Sequence, residues 1–271
     1  MKKKLMVFLM VFAALTLFVA CGGDDATDSK DFNAWVCTFG TENPAQGVTV
    51  WLLGSDGEKI AGYEAQVSDV QGLISFKDVP AGKVGFLCEG IDDENAAIKR
   101  VDTYQFNLNS DTSNTGDSRG EKLWSVDLST YTAAPALAGI TLDAGKAVVA
   151  GAVYWVDPAD DDEKEHITGC ATVTSDSGGV VRYMGDNNLP TILDKQDSVN
   201  PINGYYLVGN VDPGPATFTA HNSDGELGTT TMVVFPDAIT IGNIYAGIQA
   251  TDPLGTKSTI TEDPAECQPD F

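Results

Sequence analysis

Gly72 and Gly82, and again Gly204 and Gly214, stand ten residues apart and frame one pattern twice. In the first frame Gly72-Leu73-Ile74-Ser75-Phe76 is followed by Val79-Pro80-Ala81-Gly82 and an alternating segment to Cys88. In the second, Gly204-Tyr205-Tyr206-Leu207-Val208 is followed by Val211-Asp212-Pro213-Gly214 and an alternating segment over 216–220. A glycine opens a strand at a turn, and proline then glycine reverses the chain into the next strand. Upstream of each frame lies another β segment, Gly47-Val48-Thr49-Val50 and Gly169-Cys170-Ala171-Thr172-Val173. Repetition at this spacing predicts two tandem copies of one β-sandwich unit.

The rest of the chain agrees with an all-β fold. Segments rich in Val, Ile, Thr, Tyr and Phe over 32–39, 47–53, 59–67, 73–76 and 83–88 alternate with Gly, Asn, Asp and Pro turns. Along 47–53, Val48, Val50 and Leu52 share one face and Thr49, Trp51 and Leu53 the other. Ser55-Asp56-Gly57 is a tight-turn signal. Residues 97–108 can form an alternating strand, 109–119 read as a loop tip, and 121–127 as a strand. Ser129 or Thr130 could cap a short helix over 133–138, ended by Gly139, with Pro135 tolerable in its first turn. The expected units are 31–145 and 146–250, with a Pro-, Thr- and acid-rich tail over 251–271.

These turns resemble the carboxypeptidase regulatory-like domain, a small transthyretin-like (Ig-like) β-sandwich. The first copy matches its pattern with Gly47-Val48-Thr49-Val50, Ser68-Asp69-Val70-Gln71-Gly72, Phe76 and Val79-Pro80-Ala81-Gly82. For the second copy, Ala150-Gly151-Ala152-Val153 supplies the opening strand, Gly204-Tyr205-Tyr206-Leu207 the hairpin and Val211-Asp212-Pro213-Gly214 the turn. Pro201-Ile202-Asn203 stands where the family has Thr-Asp, and 176–199 reads as an insertion. The motifs are turn chemistry, so they specify a fold rather than an activity. The resemblance implies a spacer or accessory unit.

The N-terminus speaks to location. Lys2, Lys3 and Lys4 precede an apolar run over 5–18, and Leu17-Phe18-Val19-Ala20-Cys21 closes it. The run is shorter than the roughly 20 residues a bilayer span needs, so it reads as a secretory signal. Its ending resembles the lipobox of bacterial lipoproteins, in which 1–20 are removed and Cys21 carries the lipid. Phe18 departs from the usual aliphatic residue, and an ordinary signal peptide cut near Ala20 is the alternative. Residues 21–30, with Ala26 as their one alkyl side chain beyond Cys21, read as a flexible tether. Gly22 is not the aspartate that retains lipoproteins in the inner membrane of some bacteria, so the expected location is the cell envelope, at the outer membrane.

A formal net charge of −23 excludes nucleic acid as a partner. The expected partners are the membrane, through the lipid, and an envelope protein or glycan. With Cys21 assigned to lipid, Cys37, Cys88, Cys170 and Cys267 remain. An even number in an exported chain argues for two disulfides; sequence allows three connectivities, and the domain layout favours Cys37–Cys88 and Cys170–Cys267. A metal site is the rival, but no CxxC pair exists and His166 and His221 lie far from any cysteine in sequence.

Candidate chemistry is sparse. Gly116-Asp117-Ser118-Arg119-Gly120 fits the hydrolase G-x-S-x-G expression, but a polar loop precedes Ser118 and a strand follows it, the reverse of a nucleophile elbow. His166 and His221, the only histidines, would have to serve as base, and each sits in a polar stretch. Asp157, Asp160, Asp161, Asp162, Glu163 and Glu165 offer hard oxygen ligands for Ca²⁺, but without the acid spacing and central glycine of an EF-hand, and a solvated turn is the plainer reading. Trp51 and Trp155 are the carbohydrate-platform candidates; aromatics in a sandwich more often fill cores and domain junctions. No cofactor is implied. The expectation is a non-catalytic structural, adhesive or partner-binding module, with carbohydrate binding as the alternative and a hydrolase as a distant third.

Overall fold

The computed structural model describes residues 30–93, 96–110, 119–156, 165–192, 196–249, 258–260 and 262–264. Its strands in chain order are β1 (Lys30–Thr38), β2 (Thr49–Leu53), β3 (Gln66–Val67), β4 (Leu73–Val79), β5 (Lys83–Cys88), β6 (Arg100–Val101), β7 (Thr103–Asn109) and β8 (Glu121–Asp127). After helix α1 (Leu128–Leu137) come β9 (Ala147–Val156), β10 (Glu165–Ile167), β11 (Thr172–Ser175), β12 (Val180–Tyr183), β13 (Tyr205–Val211), β14 (Gly214–Asn222), β15 (Gly225–Val234), β16 (Ile239–Ile241) and β17 (Ile244–Tyr245). The chain is all-β, as its alternation predicts. The signal segment, Cys21 and the tether as far as 29 lie outside the described residues, while Lys30, expected in the tether, opens β1.

The strands form a four-stranded sheet in the order β4-β1-β8-β6, a three-stranded sheet β11-β14-β15, and a ten-stranded sheet running β12-β13-β9-β16-β7-β5-β2-β3, with β10 and β17 also paired to β9. Several pairings occur twice along the chain. β1 runs antiparallel to β4 and parallel to β8, while β9 runs antiparallel to β13 and parallel to β16 and β17. The order β2-β5-β7 recurs as β11-β14-β15. Even single bonds recur: the Val36 amide donates to Gly72 O at 2.7 Å, and the Val153 amide to Gly204 O at 3.0 Å. Gly72 and Gly204 hold φ of +78° and +71°, a left-handed conformation that disfavours a side chain. A Cβ on Gly72 would also sit 2.3 Å from Val36 O. By this correspondence the counterpart of 47–50 is 169–173, which leads into β11. The segment 150–153 instead belongs to β9, the counterpart of β1.

The Pro-Gly turns do more than reverse the chain. β4 and β5 lie in different sheets, and so do β13 and β14. Each turn therefore carries the chain across a sandwich, from one layer to the other. Between the layers of the first copy lie Phe32, Ala34, Val36, Val48, Val50, Leu52, Ile74, Phe76, Val84, Phe86 and Leu123. At roughly 25 cal/mol per Å² of apolar surface, such burial is the main stabilising term.

The halves are welded. β16, from the end of the second copy, inserts between β7 and β9 and runs parallel to both. Leu53, Leu87, Tyr104 and Phe106 of the first copy accordingly share a core with Val149, Tyr206, Phe218 and Met232 of the second. The turn at 143–146 separates the copies in sequence, yet one sheet runs through both. The expected strand over 59–67 reduces to β3 and a single Leu53–Lys59 bridge. The helix begins earlier than expected: Asp127 occupies its N-cap position without a side-chain cap bond, and Pro135 lies inside it. Gly139, at φ +71°, follows its end as anticipated.

Candidate functional site

Alternation carries Trp51 away from the Val48, Val50 and Leu52 face, and it packs against the core shared by the two copies. The Lys59 ammonium covers its ring at 3.4 Å from the centroid. Trp155 is 6% exposed, and its indole N–H donates to Ile260 O at 3.1 Å. Of the two carbohydrate candidates, Trp51 is thus half-buried beneath Lys59 and Trp155 is buried. Trp51 belongs to the weld, in one cross-strand row with Leu87 and Tyr104, and the Tyr104 ring stacks on Phe235 with centroids 4.0 Å apart. Trp35, 2% exposed, is covered by the Arg119 guanidinium at 3.5 Å.

The disulfide expected between Cys37 and Cys88 is not formed; both are buried free thiols. The reason is parity. Cys88 lies inside the first sandwich with Phe86 and Val84. On β1 the inward residues are Phe32, Ala34 and Val36, so Cys37 falls on the opposite face, beside Trp124 in the parallel ladder. Burial pushes both thiols up to about 12, which keeps them protonated and inert. Cys170 is disulfide-bonded. Cys267 lies outside the described residues.

His166 is exposed on β10, its ring 5.7 Å from that of Trp155. His221 Nε2 lies 3.1 Å from the Thr174 hydroxyl across the β14–β11 ladder. The structure does not bring the two histidines into one cleft. Ser118, Asp157, Asp160, Asp161, Asp162 and Glu163 lie outside the described residues. Glu165 accepts the Tyr245 hydroxyl at 2.6 Å. Among the described residues no group of three His, Cys, Asp or Glu side chains is placed to hold a metal ion.

Two open grooves stand out among the described residues. One, of about 410 Å³, is lined by Asn222, Asp224, Glu226, Glu262 and Asp263. The other, of about 510 Å³, lies along β4 and is lined by Tyr63, Glu64, Gln66, Ser75, Lys77 and Asp78. β4 is the edge of its sheet, and both ends of that edge are capped. Asp69 accepts the Leu73 amide through Oδ1 at 2.8 Å and donates its own amide to Leu73 O at 3.2 Å. The Tyr63 hydroxyl donates to Asp78 O at 2.5 Å. Between those caps lies the groove. Ser75 and Phe76 belong to the turn-and-strand pattern that follows Gly72, which marks a strand and not a groove; the one signal for the groove is that 176–199 has no counterpart in the first copy.

No family model matches the chain, and no curated protein matches it. Solved structures similar to it include a minor pilin of Streptococcus agalactiae, at 9% identity and TM-score 0.22, covering 79% of this chain and 96% of that one. The major pilin of Bacillus cereus aligns at 13% identity and TM-score 0.24, over 76% of this chain and 69% of its own. A shaft pilin of Lactobacillus rhamnosus aligns at 7% identity and TM-score 0.23, over 80% and 98%. The likeness is one of β-rich architecture and carries no functional argument.

Proposed function

We propose that this chain is a non-catalytic module of the cell envelope that bears a structural load or presents a surface to a partner, anchored through lipid on Cys21. The observation that carries the reading is the weld: β16 pairs on both sides, and Trp51, a candidate platform aromatic, packs against the core that joins the two sandwiches. A continuous sheet with a shared core makes one stiff body, which suits a spacer or support. The tandem carboxypeptidase regulatory-like reading supports the same role through its matched turns.

Metabolic labelling with a fatty-acid probe tests the anchor: wild type should be marked and Cys21→Ala should not, with the label in the outer-membrane fraction. Equal labelling of both removes the anchor. Turnover of small esters or glycosides by the purified chain overturns the non-catalytic assignment.

A further inference from the structure

The two copies diverge beside β4 and β13, the corresponding strands that open after Gly72 and Gly204. In the second copy the outer edge of β13 is occupied by β12, which pairs antiparallel through Val180–Gly209, Val181–Val208 and Arg182–Leu207. Counted from Gly72 and Gly204, Ser75 corresponds to Leu207, Phe76 to Val208 and Lys77 to Gly209. Among the described residues the first copy has no strand there, and the groove along β4 lies against those very residues. The edge is of the right polarity. Leu73 turns its amide and carbonyl away from β1 to Asp69, so the two-residue period turns those of Ser75, and of Lys77 beside the bulge, the same way. The two edges of the three-stranded sheet, by contrast, hold partners: the Tyr183 hydroxyl accepts the Val173 amide of β11, and the Thr229 amide and Leu227 carbonyl of β15 bond to Ile248 and Gly247.

We propose that the β4 edge is a peptide-binding site that takes an extended, basic segment of a partner protein as an added antiparallel strand in the place β12 fills in the second copy. The proposal rests on the partner-presenting reading above and names the partner's chemistry. An unpaired edge recognises main chain in extended form. The charge follows from the walls: Lys77 is paired with Asp31 at 2.5 Å, while Glu64 and Asp78 add two more carboxylates, on a chain of net charge −23. A second copy would bring like charge, and the chain's own preceding residues, with Asp24, Asp25 and Asp28, are acidic too. Val181 packs partly into the second core, so the occupant's residue opposite Phe76 is apolar, with basic residues on either side.

The test is fluorescence anisotropy of the full chain with a labelled peptide of alternating lysine and valine. A glutamate–valine peptide and a lysine–valine peptide N-methylated at alternate residues serve as controls. The first should bind and both controls should fail. Ser75→Pro removes an amide that faces away from β1, so the fold is retained and affinity should fall at least about tenfold. Glu64→Lys should weaken binding similarly. Unchanged affinity in Ser75→Pro, equal binding of the N-methylated peptide, or no binding of the lysine–valine peptide at millimolar concentration overturns the proposal. If Ser75→Pro fails to fold, the N-methylated arm decides. A dimer in the free protein that Ser75→Pro dissolves assigns the edge to a second copy and also overturns it. Cleavage of the peptide would instead overturn the non-catalytic reading while leaving the edge in place.

Discussion

The Arg100 guanidinium lies 3.0 Å from the Asp127 carboxylate, with 5% of the Arg100 side chain exposed. Arg100 also donates to the Ser125 carbonyl and hydroxyl at 3.2 Å each and to the Thr38 hydroxyl at 3.0 Å, so one side chain ties β6 to β8 and β1. Asp127 Oδ1 makes no aligned hydrogen bond, so its link to Arg100 is chiefly coulombic. Removing the carboxylate strands a buried cation. Asp127→Ala is therefore expected to lower stability by about 3 kcal/mol in urea unfolding. The double variant Arg100→Met, Asp127→Leu should recover most of that loss. A single-variant loss under about 1 kcal/mol would mean the pair behaves like a surface ion pair.

The weld makes the first copy dependent on the second. A fragment of residues 31–145 would expose Leu53, Leu87, Tyr104 and Phe106, which the full chain buries. It is expected to aggregate or to give poorly dispersed amide spectra, while the full chain unfolds in one cooperative step. A well-dispersed spectrum from the fragment would show that the first sandwich stands alone.

Cys37 and Cys88 should resist a thiol reagent at pH 8 in the native protein and react on unfolding. Because the folded values lie near 12, above the ordinary 9.0, the thiols favour the folded state below pH 9. That contribution is lost as pH rises through 12. Rapid native labelling of either would show that its strand opens locally.

Glu121 is pushed up to about 7, first by burial and then by the charge of Glu165. A carboxyl raised in the folded state stabilises it fully below its ordinary value of 4.5 and loses that contribution as pH rises through 7. Stability measured by thermal melting should decline across that window in wild type and decline less in Glu121→Gln. Identical profiles would assign the slope to other groups.

Non-reducing peptide mapping should link Cys170 to Cys267, leaving Cys37 and Cys88 as thiols. A link from Cys170 to Cys21 would contradict both the pairing and the lipid assignment.

The repeat was legible because Gly72, Gly82, Gly204 and Gly214 carry backbone conformations that few other residues tolerate, and turn chemistry is local. Which sheet each strand joins was not, since Val79-Pro80-Ala81-Gly82 reads the same whether it closes a hairpin or crosses a sandwich. The β16 insertion was also invisible: a three-residue strand parallel to both neighbours has no turn to announce it. The face of Trp51 followed from alternation, but what covers that face depended on the weld. The β4 groove has no composition of its own, because main-chain edges are written in an absence of neighbours.

The position of β16 after both of its partners in sequence also fixes when the seam between the sandwiches can close. Its partners at 103–109 and 147–156 are made long before it, and they must wait with a hydrophobic seam uncovered until residue 241 arrives. Such distant pairing slows closure and prolongs vulnerability to aggregation. A polypeptide released short of that point lacks the strand that joins its two sandwiches.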